Sequence, residues 1–277
     1  MFPGFMRVKM PEGPEVKRNA VALSKMLSGA ALNRFELLTG RYTRNQLVGH
    51  AEFSELLPCD IIGAGCHGKF IYVIFSNGWN LWSTLGMTGI WSKNKTKHSR
   101  AVMHTSNGPV YYNDIRNFGT LKFVYGKHEL LKKIGTLGMD LLSQEVDENV
   151  FISRLRKKDN KNVCKVLMDQ SLLAGVGNYI KAEALWITKI NPNSTIGDLE
   201  DFQLLDLKYA IEQIMQSSYE HGGATFLTHS DFAGEKGEYT HRFLCYNRKT
   251  DADGNPVIKL KTPDGRTTHW SKERQGG

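Results

Sequence analysis

The spacing of the apolar residues divides this chain into strand-like and helical stretches, and that division limits the possible fold more than any other feature. Between residues 31 and 125 the apolar residues form short runs broken by turns, which is typical of strands. From about residue 149 they recur at helical spacing, and two Asp-Gly turns, at residues 253–254 and 264–265, indicate hairpins. The pattern predicts an α+β protein with a β-rich half, a helical half and a small terminal hairpin unit.

This pattern divides the 277 residues into five segments. They are an N-terminal extension at 1–10, a β-sandwich domain with a flanking helix at 11–126, a polar linker at 127–148, a helical domain at 149–235 and a hairpin unit at 236–277. The first helix is expected to begin at Pro14, because proline suits the first turn of a helix. Later helices are expected at 151–156, 165–173, 179–186 and around 204–215, and strands of the tail at 242–246, 257–261 and 267–270.

The charge and the cysteine content exclude several classes of protein. Lysine and arginine number 36 against 28 aspartate and glutamate, a net charge of +8, which favours a polyanionic partner such as nucleic acid. The four cysteines are scattered and none forms a Cys-x-x-Cys pair, which excludes a disulfide scaffold and a four-cysteine zinc site. We therefore expect an intracellular protein that needs no metal and no other cofactor.

One apolar stretch has the length of a membrane span. Residues 70–92 carry no charged side chain, but Ser76-Asn77-Gly78 interrupts them with a hairpin signal. We interpret the stretch as two buried strands. Residues 1–9 are too short and too broken for a signal peptide, so no membrane partner is expected.

Residues 11–16, which read Pro-Glu-Gly-Pro-Glu-Val, carry the first chemical signal. If Pro11 is N-terminal, it presents a secondary amine, and an α-amino group titrates near pH ~8, so part of it is nucleophilic at neutral pH. Attack on an aldehyde-level carbon gives an iminium ion, an electron sink that makes elimination easy. Glu12 stands beside it as a proton donor or acceptor. The alternative is a helix start, with proline and acidic residues at its positive end.

The second signal is a tight glycine turn, Gly175-Val176-Gly177-Asn178, between two expected helices. Such a turn exposes backbone N–H groups at a helix N-terminus and predicts a phosphate cradle, with Asn178 as the helix cap. The alternative is a plain corner between helices. Five basic residues upstream are either a solvated face or backbone contacts: Arg154, Arg156, Lys157, Lys158 and Lys161.

Together, the opening hexapeptide and the glycine turn resemble the formamidopyrimidine-DNA glycosylase/endonuclease VIII family of repair enzymes. The resemblance covers nearly the whole chain from Met10. It implies that Pro11 is the Schiff-base nucleophile and that Glu12 is the catalytic acid or base. It also implies that Lys69, which follows His67-Gly68, contacts phosphate and assists elimination.

The same resemblance implies a set of DNA-binding residues. Asn178 would bind the DNA backbone, and Lys165 would lie near the lesion. Met87, Arg116 and Phe118 would fill the space left by an everted nucleotide, because extrusion of a base costs a few kcal/mol that such wedges offset. Taken singly, Met87 and Phe118 are typical of core residues beside strands.

The end of the chain departs from the usual family pattern of a four-cysteine zinc finger. It has only Cys245, yet it keeps two hairpin turns, which resembles the zincless finger of endonuclease VIII-like members. The finger arginine that grips phosphates at the catalytic site then falls on Arg266; alone, it reads as an exposed turn residue. His98 and Arg100, in a basic loop, are further candidates for DNA contact or for plain solvation.

The start of the chain raises a chemical difficulty. Residues 1–9 precede Met10, so the nitrogen of Pro11 is an amide, which has no available lone pair. We therefore expect the extension at 1–10 to be absent from the active protein, through initiation at Met10 or through processing.

The resemblance implies a bifunctional DNA glycosylase and abasic-site lyase of base excision repair. Its expected partners are double-stranded DNA with an oxidised base or an abasic site, and single-stranded DNA. The protein is expected to be a monomer and to be located with the genomic DNA inside the cell. Gly13 in the opening motif and the finger both resemble the endonuclease VIII-like branch, and this resemblance implies a preference for oxidised pyrimidines. The alternatives are an 8-oxoguanine- or formamidopyrimidine-preferring glycosylase, a non-catalytic DNA-binding protein if Pro11 stays blocked, and an RNA-binding module.

Overall fold

A computed structural model describes residues 10–224 and 239–276, which divide into two units. The first unit holds residues 10–11, 15–135 and 222–224, and the second holds residues 12–14, 136–221 and 239–276. Of the extension predicted at 1–10, residues 1–9 lie outside the described residues. None of the helices in the described part of the chain is long and apolar enough to span a membrane.

The first unit follows the strand-rich pattern of the sequence. Its elements are α1 (Gly13–Leu27, which starts in the second unit), β1 (Ala31–Leu37), α2 (His50–Ser54), β2 (Cys59–His67), β3 (Phe70–Phe75), β4 (Trp79–Thr84), β5 (Gly89–Ser92), β6 (Ser99–Thr105), β7 (Gly108–Asp114), β8 (Thr120–Tyr125) and α3 (Lys127–Gly135). The charge-free stretch at 70–92 forms β3, β4 and β5, so it consists of strands as predicted, but of three strands and not two.

The eight strands form one antiparallel sheet in the order β5-β7-β6-β1-β2-β3-β4-β8, and only two residue pairs join β1 to β2. Side chains from strands far apart in this order touch. The rings of Phe35 in β1 and Phe123 in β8 lie 4.9 Å apart, and Trp91 Nε1 in β5 donates to Ser83 Oγ in β4 at 3.1 Å. The sheet therefore folds over into two layers, which confirms the predicted β-sandwich.

Helix α1 flanks this sandwich. It begins at Gly13, one residue before the predicted start, and its apolar stripe of Val16, Ala20, Leu23 and Leu27 is buried in the core. The buried Asn19 side chain donates to Trp91 O at 2.8 Å and accepts from Trp91 N–H at 3.0 Å. Because β5 is an edge strand, this side chain satisfies backbone groups that no neighbouring strand reaches.

The segment predicted as a linker at 127–148 is helical in its first part. Helix α3 covers Lys127–Gly135 and buries Leu130, with Lys127 and Lys132 exposed and Lys133 half-buried. The sequence pattern predicted no helix in this polar linker, and the structure places one there with Leu130 buried. The division between the two units, after Gly135, does fall within this segment.

The second unit contains the helical half and the described tail. Its elements are α4 (Glu148–Arg156), α5 (Val163–Leu167), α6 (Asn178–Ile187), α7 (Asp201–Glu220), β9 (Ile258–Lys261), β10 (Thr267–Trp270) and α8 (Lys272–Gln275). Strands β9 and β10 pair as the predicted hairpin. Of the residues assigned to the helical and hairpin segments, 225–238 lie outside the described part of the chain.

The strand predicted at 242–246 was wrong. A 3-10 helix ends at Arg242, and the next backbone N–H groups turn toward the buried Glu183 carboxylate. The carboxylate accepts from Leu244 at 2.7 Å, from Cys245 at 2.9 Å and from Tyr246 at 2.5 Å. Burial raises the pKa of Glu183 although these three N–H groups oppose the rise. N–H groups bound to a side chain cannot join a strand ladder.

Candidate active site

Glu12 has a fixed position in the second unit. Its side chain is buried, with the residue 4% exposed. Glu12 Oε1 accepts from the Tyr179 N–H at 2.9 Å, and Oε2 accepts from the Ile180 N–H at 3.3 Å. Both donors lie in the first turn of α6, where the helix dipole favours negative charge. The carboxylate that follows Pro11 is therefore held in one orientation.

Two glycines allow this close packing. A Cβ atom at Gly177, the residue before α6, would overlap the Glu12 carboxylate. Gly13 donates its N–H to Gly175 O at 2.9 Å, and a Cβ there would lie 2.8 Å from Met215 Cε. Gly177 therefore requires glycine, because the Glu12 carboxylate approaches too closely for a side chain, whereas the atom nearest to Gly13 is the flexible end of Met215.

This arrangement removes two backbone N–H groups from the predicted phosphate cradle. The N–H groups of Tyr179 and Ile180 are bound to Glu12, so they are not available to a phosphate. The predicted capping role of Asn178 was also wrong, since Gly177 occupies the cap position and Asn178 is the first helical residue. Its amide instead donates to Thr267 O, at 3.0 Å, in the β9–β10 hairpin.

Lys69 lies in the first unit, in the two-residue turn that joins β2 to β3. His67 pairs with Phe70 across this turn, and Gly68 adopts a positive φ of 55°. A tight hairpin of this kind needs glycine at its first central position. The turn fixes the backbone of Lys69, whose side chain is half-buried.

The three predicted wedge residues meet in the first unit. Arg116 Nη1 lies 3.0 Å from Met87 Sδ, and Arg116 Cζ lies 4.7 Å from the centroid of the Phe118 ring. Phe118 is 54% exposed and Met87 is half-buried. The core interpretation is therefore wrong for Phe118, because an apolar ring in the core would not face solvent.

Side chains that the sequence reasoning missed hold this loop in shape. Asp114 is fully buried and accepts from Thr88 Oγ1 and, at 2.8 Å, from the Gly119 N–H. Thr88 Oγ1 accepts in turn from the Arg116 N–H at 2.9 Å. Arg100, a predicted DNA contact, donates to Asp114 O at 2.7 Å and so braces the loop. The available signal was an aspartate that ends an apolar strand.

The remaining predicted residues are spread over both units. His98 lies half-buried between β5 and β6, and its carbonyl accepts from the Asp114 N–H at 3.0 Å. Lys165 is exposed on α5. Arg266 is exposed in the turn of the β9–β10 hairpin, and within residues 10–224 and 239–276 its guanidinium has neither a hydrogen bond nor an ion pair.

Comparison with known proteins decides the family. The model of the formamidopyrimidine-DNA glycosylase N-terminal domain matches residues 10–121, and that of the formamidopyrimidine-DNA glycosylase H2TH domain matches residues 137–230. The chain belongs to the formamidopyrimidine-DNA glycosylase/endonuclease VIII family. The matched ranges contain every predicted site residue except Arg266.

Relatives of known name agree with the family. The chain is 29% identical to the formamidopyrimidine-DNA glycosylase of Desulforamulus reducens, over 96% of this chain and 99% of the relative. It is similar in structure to Lactococcus lactis Fpg (MutM) in complex with DNA that contains an oxidised pyrimidine (TM-score 0.84, 26% identity, 96% of this chain and 100% of the other). It is also similar to a point mutant of L. lactis Fpg in complex with DNA that contains Fapy-dG (TM-score 0.86, 27% identity, with the same coverage).

Three of the four cysteines, Cys59, Cys164 and Cys245, are buried thiols, and Cys66 is half-buried. Burial raises the pKa of Cys59 and of Cys164 to about 11 and raises that of Cys245 further. A protonated thiol is a poor nucleophile and a poor metal ligand. Within the described residues, no group of three or more His, Cys, Asp or Glu side chains could hold a metal ion.

Proposed function

We propose that this protein is a bifunctional DNA glycosylase and abasic-site lyase of base excision repair, with Pro11 as nucleophile and Glu12 as general acid and base. The observation that carries the proposal is the position of Glu12. A buried carboxylate, held by two N–H groups, directly follows a residue able to present a secondary amine. Membership of the glycosylase family supports the same assignment.

The proposed reaction proceeds through covalent catalysis. The lone pair of the Pro11 nitrogen forms a bond to C1′ of the damaged nucleotide, and the base leaves with a proton that Glu12 helps to supply. The amine then loses its proton and the sugar ring opens: the C1′–O4′ bond breaks, O4′ takes up a proton, and an iminium ion forms between the Pro11 nitrogen and C1′. This ion acidifies C2′. Loss of a proton there breaks the C3′–O bond, and a second elimination breaks the C5′–O bond. We assign Lys69 and Arg266 to the phosphates beside these bonds.

The proposed substrate is damaged DNA, as either a duplex or a single strand, bound by a monomer that works on genomic DNA inside the cell. Met87, Arg116 and Phe118 would replace the everted nucleotide in the stack. Asn178, Lys165 and His98 would contact the DNA backbone, and the net charge of +8 supports such contacts. The L. lactis Fpg complexes with damaged DNA support the choice of partner.

We expect thymine glycol to be excised about tenfold faster than 8-oxoguanine from matched duplexes, a ratio within what one binding pocket can discriminate. The terminal hairpin, which resembles the finger of the endonuclease VIII-like branch, supports this preference. The measurement is the single-turnover rate for each base in the same sequence context, on protein that begins at Pro11. Equal or reversed rates would contradict the preference.

A purine-derived substrate is the second candidate. The names of the relatives and the L. lactis complex with Fapy-dG DNA favour it. Gly13, which suggested pyrimidines, also packs against Gly175 and Met215, so a glycine there has a structural use besides any role in lesion choice. A duplex with formamidopyrimidine-guanine therefore belongs in the same experiment, and faster excision of that base than of thymine glycol would assign the second candidate.

Replacement of Phe118 by alanine should slow excision from a duplex by roughly tenfold to a hundredfold, because stacking of an aromatic ring on a base contributes about 1–3 kcal/mol. Cleavage of an abasic site in a single strand should change little, because no base pair has to be opened there. The single-turnover rates on the two substrates measure the difference.

The matched control is Tyr125→Ala, which removes another exposed aromatic ring of the first unit. It should leave both rates near those of the wild type. Equal losses on duplex and single strand for Phe118→Ala would show that Phe118 supports the fold and does not act as a wedge.

A further inference from the structure

Lys181 and Asp264 form an ion pair inside the second unit, which the assigned chemistry does not use. Lys181 Nζ lies 2.6 Å from Asp264 Oδ2, and the two side chains are 0% and 2% exposed. Lys181 belongs to α6, whereas Asp264 belongs to the turn of the β9–β10 hairpin. Replacement of such a pair by apolar residues is often neutral or stabilising, so stability alone does not account for it.

The pair continues into a polar cluster that shapes the turn. Thr262 Oγ1 lies within hydrogen-bond distance of Asp264 Oδ1 and 2.7 Å from Thr268 Oγ1. The Thr262 N–H donates to Arg266 O at 3.0 Å. The backbone on both sides of Gly265 is therefore fixed, and the exposed Arg266 side chain projects from it.

Helix α6 holds the turn at a second point. The Asn178 amide donates to Thr267 O, so contacts from α6 fall on both sides of Arg266, at residues 264 and 267. Asn178 and Lys181 are three residues apart and share one helix face. The first turn of the same helix binds the Glu12 carboxylate.

We infer that the buried Lys181–Asp264 pair is a positioning device, which makes α6 the common support for the Glu12 carboxylate and for the phosphate-binding guanidinium of Arg266. This inference rests on the proposed function, because Arg266 needs a fixed position only if it binds a DNA phosphate. Lys181 and Asp264 are positioning residues that act through Arg266.

The test is the double variant Lys181→Met/Asp264→Leu, which removes both charges and so leaves neither buried alone. Its net charge equals that of the wild type. The matched control is Lys208→Met/Glu212→Leu, which removes the 2.8 Å ion pair within α7. Lys181→Arg keeps the charge and serves as the conservative variant. Thermal unfolding shows that each protein is folded.

The first readout uses no DNA. Trypsin cleaves after an exposed arginine when the surrounding chain can open locally. The rate of the cut between Arg266 and Thr267 therefore measures how readily the turn opens. We expect the double variant to be cut there roughly tenfold faster than the wild type, and the control and Lys181→Arg to be cut at close to the wild-type rate. A folded double variant that is cut at the wild-type rate would overturn the inference.

The second readout is the affinity for a duplex with a tetrahydrofuran abasic analogue. We expect the double variant and Arg266→Ala to weaken binding equally, by about tenfold or more, the value of one charge-assisted contact. In both, the slope of log Kd against log salt should fall by about 0.9, because one phosphate contact is lost. Since the double variant keeps the net charge, its lower slope must arise from Arg266.

Combination of the double variant with Arg266→Ala decides the mechanism. If the pair acts through Arg266, the combined protein binds no more than about twofold more weakly than Arg266→Ala. Losses that multiply, or a wild-type salt slope in the double variant, would overturn the inference. If the wild-type protein itself neither binds nor cleaves damaged DNA, the proposed function fails, and the tryptic readout alone decides the role of the pair.

Discussion

Protein that begins at Pro11 should form a covalent adduct with abasic DNA under borohydride, and protein that retains Met1 should form none. The reason is the state of one nitrogen atom. As the N-terminal residue, Pro11 has a lone pair available for attack on the aldehyde carbon, whereas behind Met10 the same lone pair is delocalised into a peptide bond. We expect the rate of abasic-site cleavage to differ by roughly a thousandfold or more, as for the loss of a catalytic nucleophile.

Both proteins are needed for this experiment, and intact mass must establish the N-terminus of each. Affinity for the tetrahydrofuran duplex shows that the longer protein is folded and still binds DNA. Efficient trapping by protein that retains Met1 would remove Pro11 as the nucleophile. If protein that begins at Pro11 binds damaged DNA but neither traps nor cleaves it, the non-catalytic alternative holds.

Glu12→Gln should abolish excision of damaged bases while leaving a large part of the activity on preformed abasic sites. A glutamine amide has no acidic proton to give to the departing base, and general acid–base catalysis contributes about 10²–10⁴-fold. An abasic site already carries its aldehyde, so Schiff-base formation at Pro11 does not wait for a base to leave. Single-turnover rates on thymine glycol and on abasic duplexes separate the two steps.

The shape of the site is retained in this variant. Glutamine is isosteric with glutamate, and its remaining carbonyl oxygen can still accept from the Tyr179 N–H, while the weaker 3.3 Å contact to Ile180 is lost. The loss of the acceptor for a buried N–H costs about 1–3 kcal/mol, less than the stability of a typical domain, so we expect the protein to stay folded.

Glu15→Gln is the matched control, since Glu15 lies three residues further on and accepts from the Ala224 N–H. It should excise bases at the wild-type rate. Wild-type excision by Glu12→Gln, or an equal loss of both activities, would contradict the assigned role.

Many features of the fold follow from local sequence patterns. The stripe from Val16 to Leu27 forms the buried face of α1, the uncharged stretch at 70–92 forms three strands, and the last Asp-Gly turn joins β9 to β10. These predictions succeed because the period of the apolar residues, and the glycine that a tight turn needs, are properties of neighbouring residues. The errors were a helix missed at 127–135, a helix extended through 168–173, where the chain turns, and a strand at 242–246, where the distant Glu183 carboxylate overrides the local pattern.

Some features of the candidate site also follow from the local sequence, whereas others depend on distant contacts. Pro11 and Glu12 are adjacent in the chain, so their chemistry can be inferred from residue types alone. Nothing local indicates that Glu12 is bound by residues 179 and 180, or that Asn178 donates to the hairpin and is not a helix cap. The sequence also did not indicate that Phe118 is exposed, because an apolar residue beside a strand is typical of a core as well as of a wedge.

The sequence by itself determined much of the order of strands and helices, the proposal of Pro11 and Glu12 as nucleophile and acid, and the basic character of the chain. Only the tertiary structure decided which side chains act together. It joined Met87 to Arg116 and Phe118, and it paired Lys181 with Asp264 across 83 residues. The physical reason is the separation along the chain over which each interaction acts. Backbone conformation depends mainly on neighbouring residues, whereas a buried polar group is satisfied by whichever partner the folded chain brings within about 3 Å.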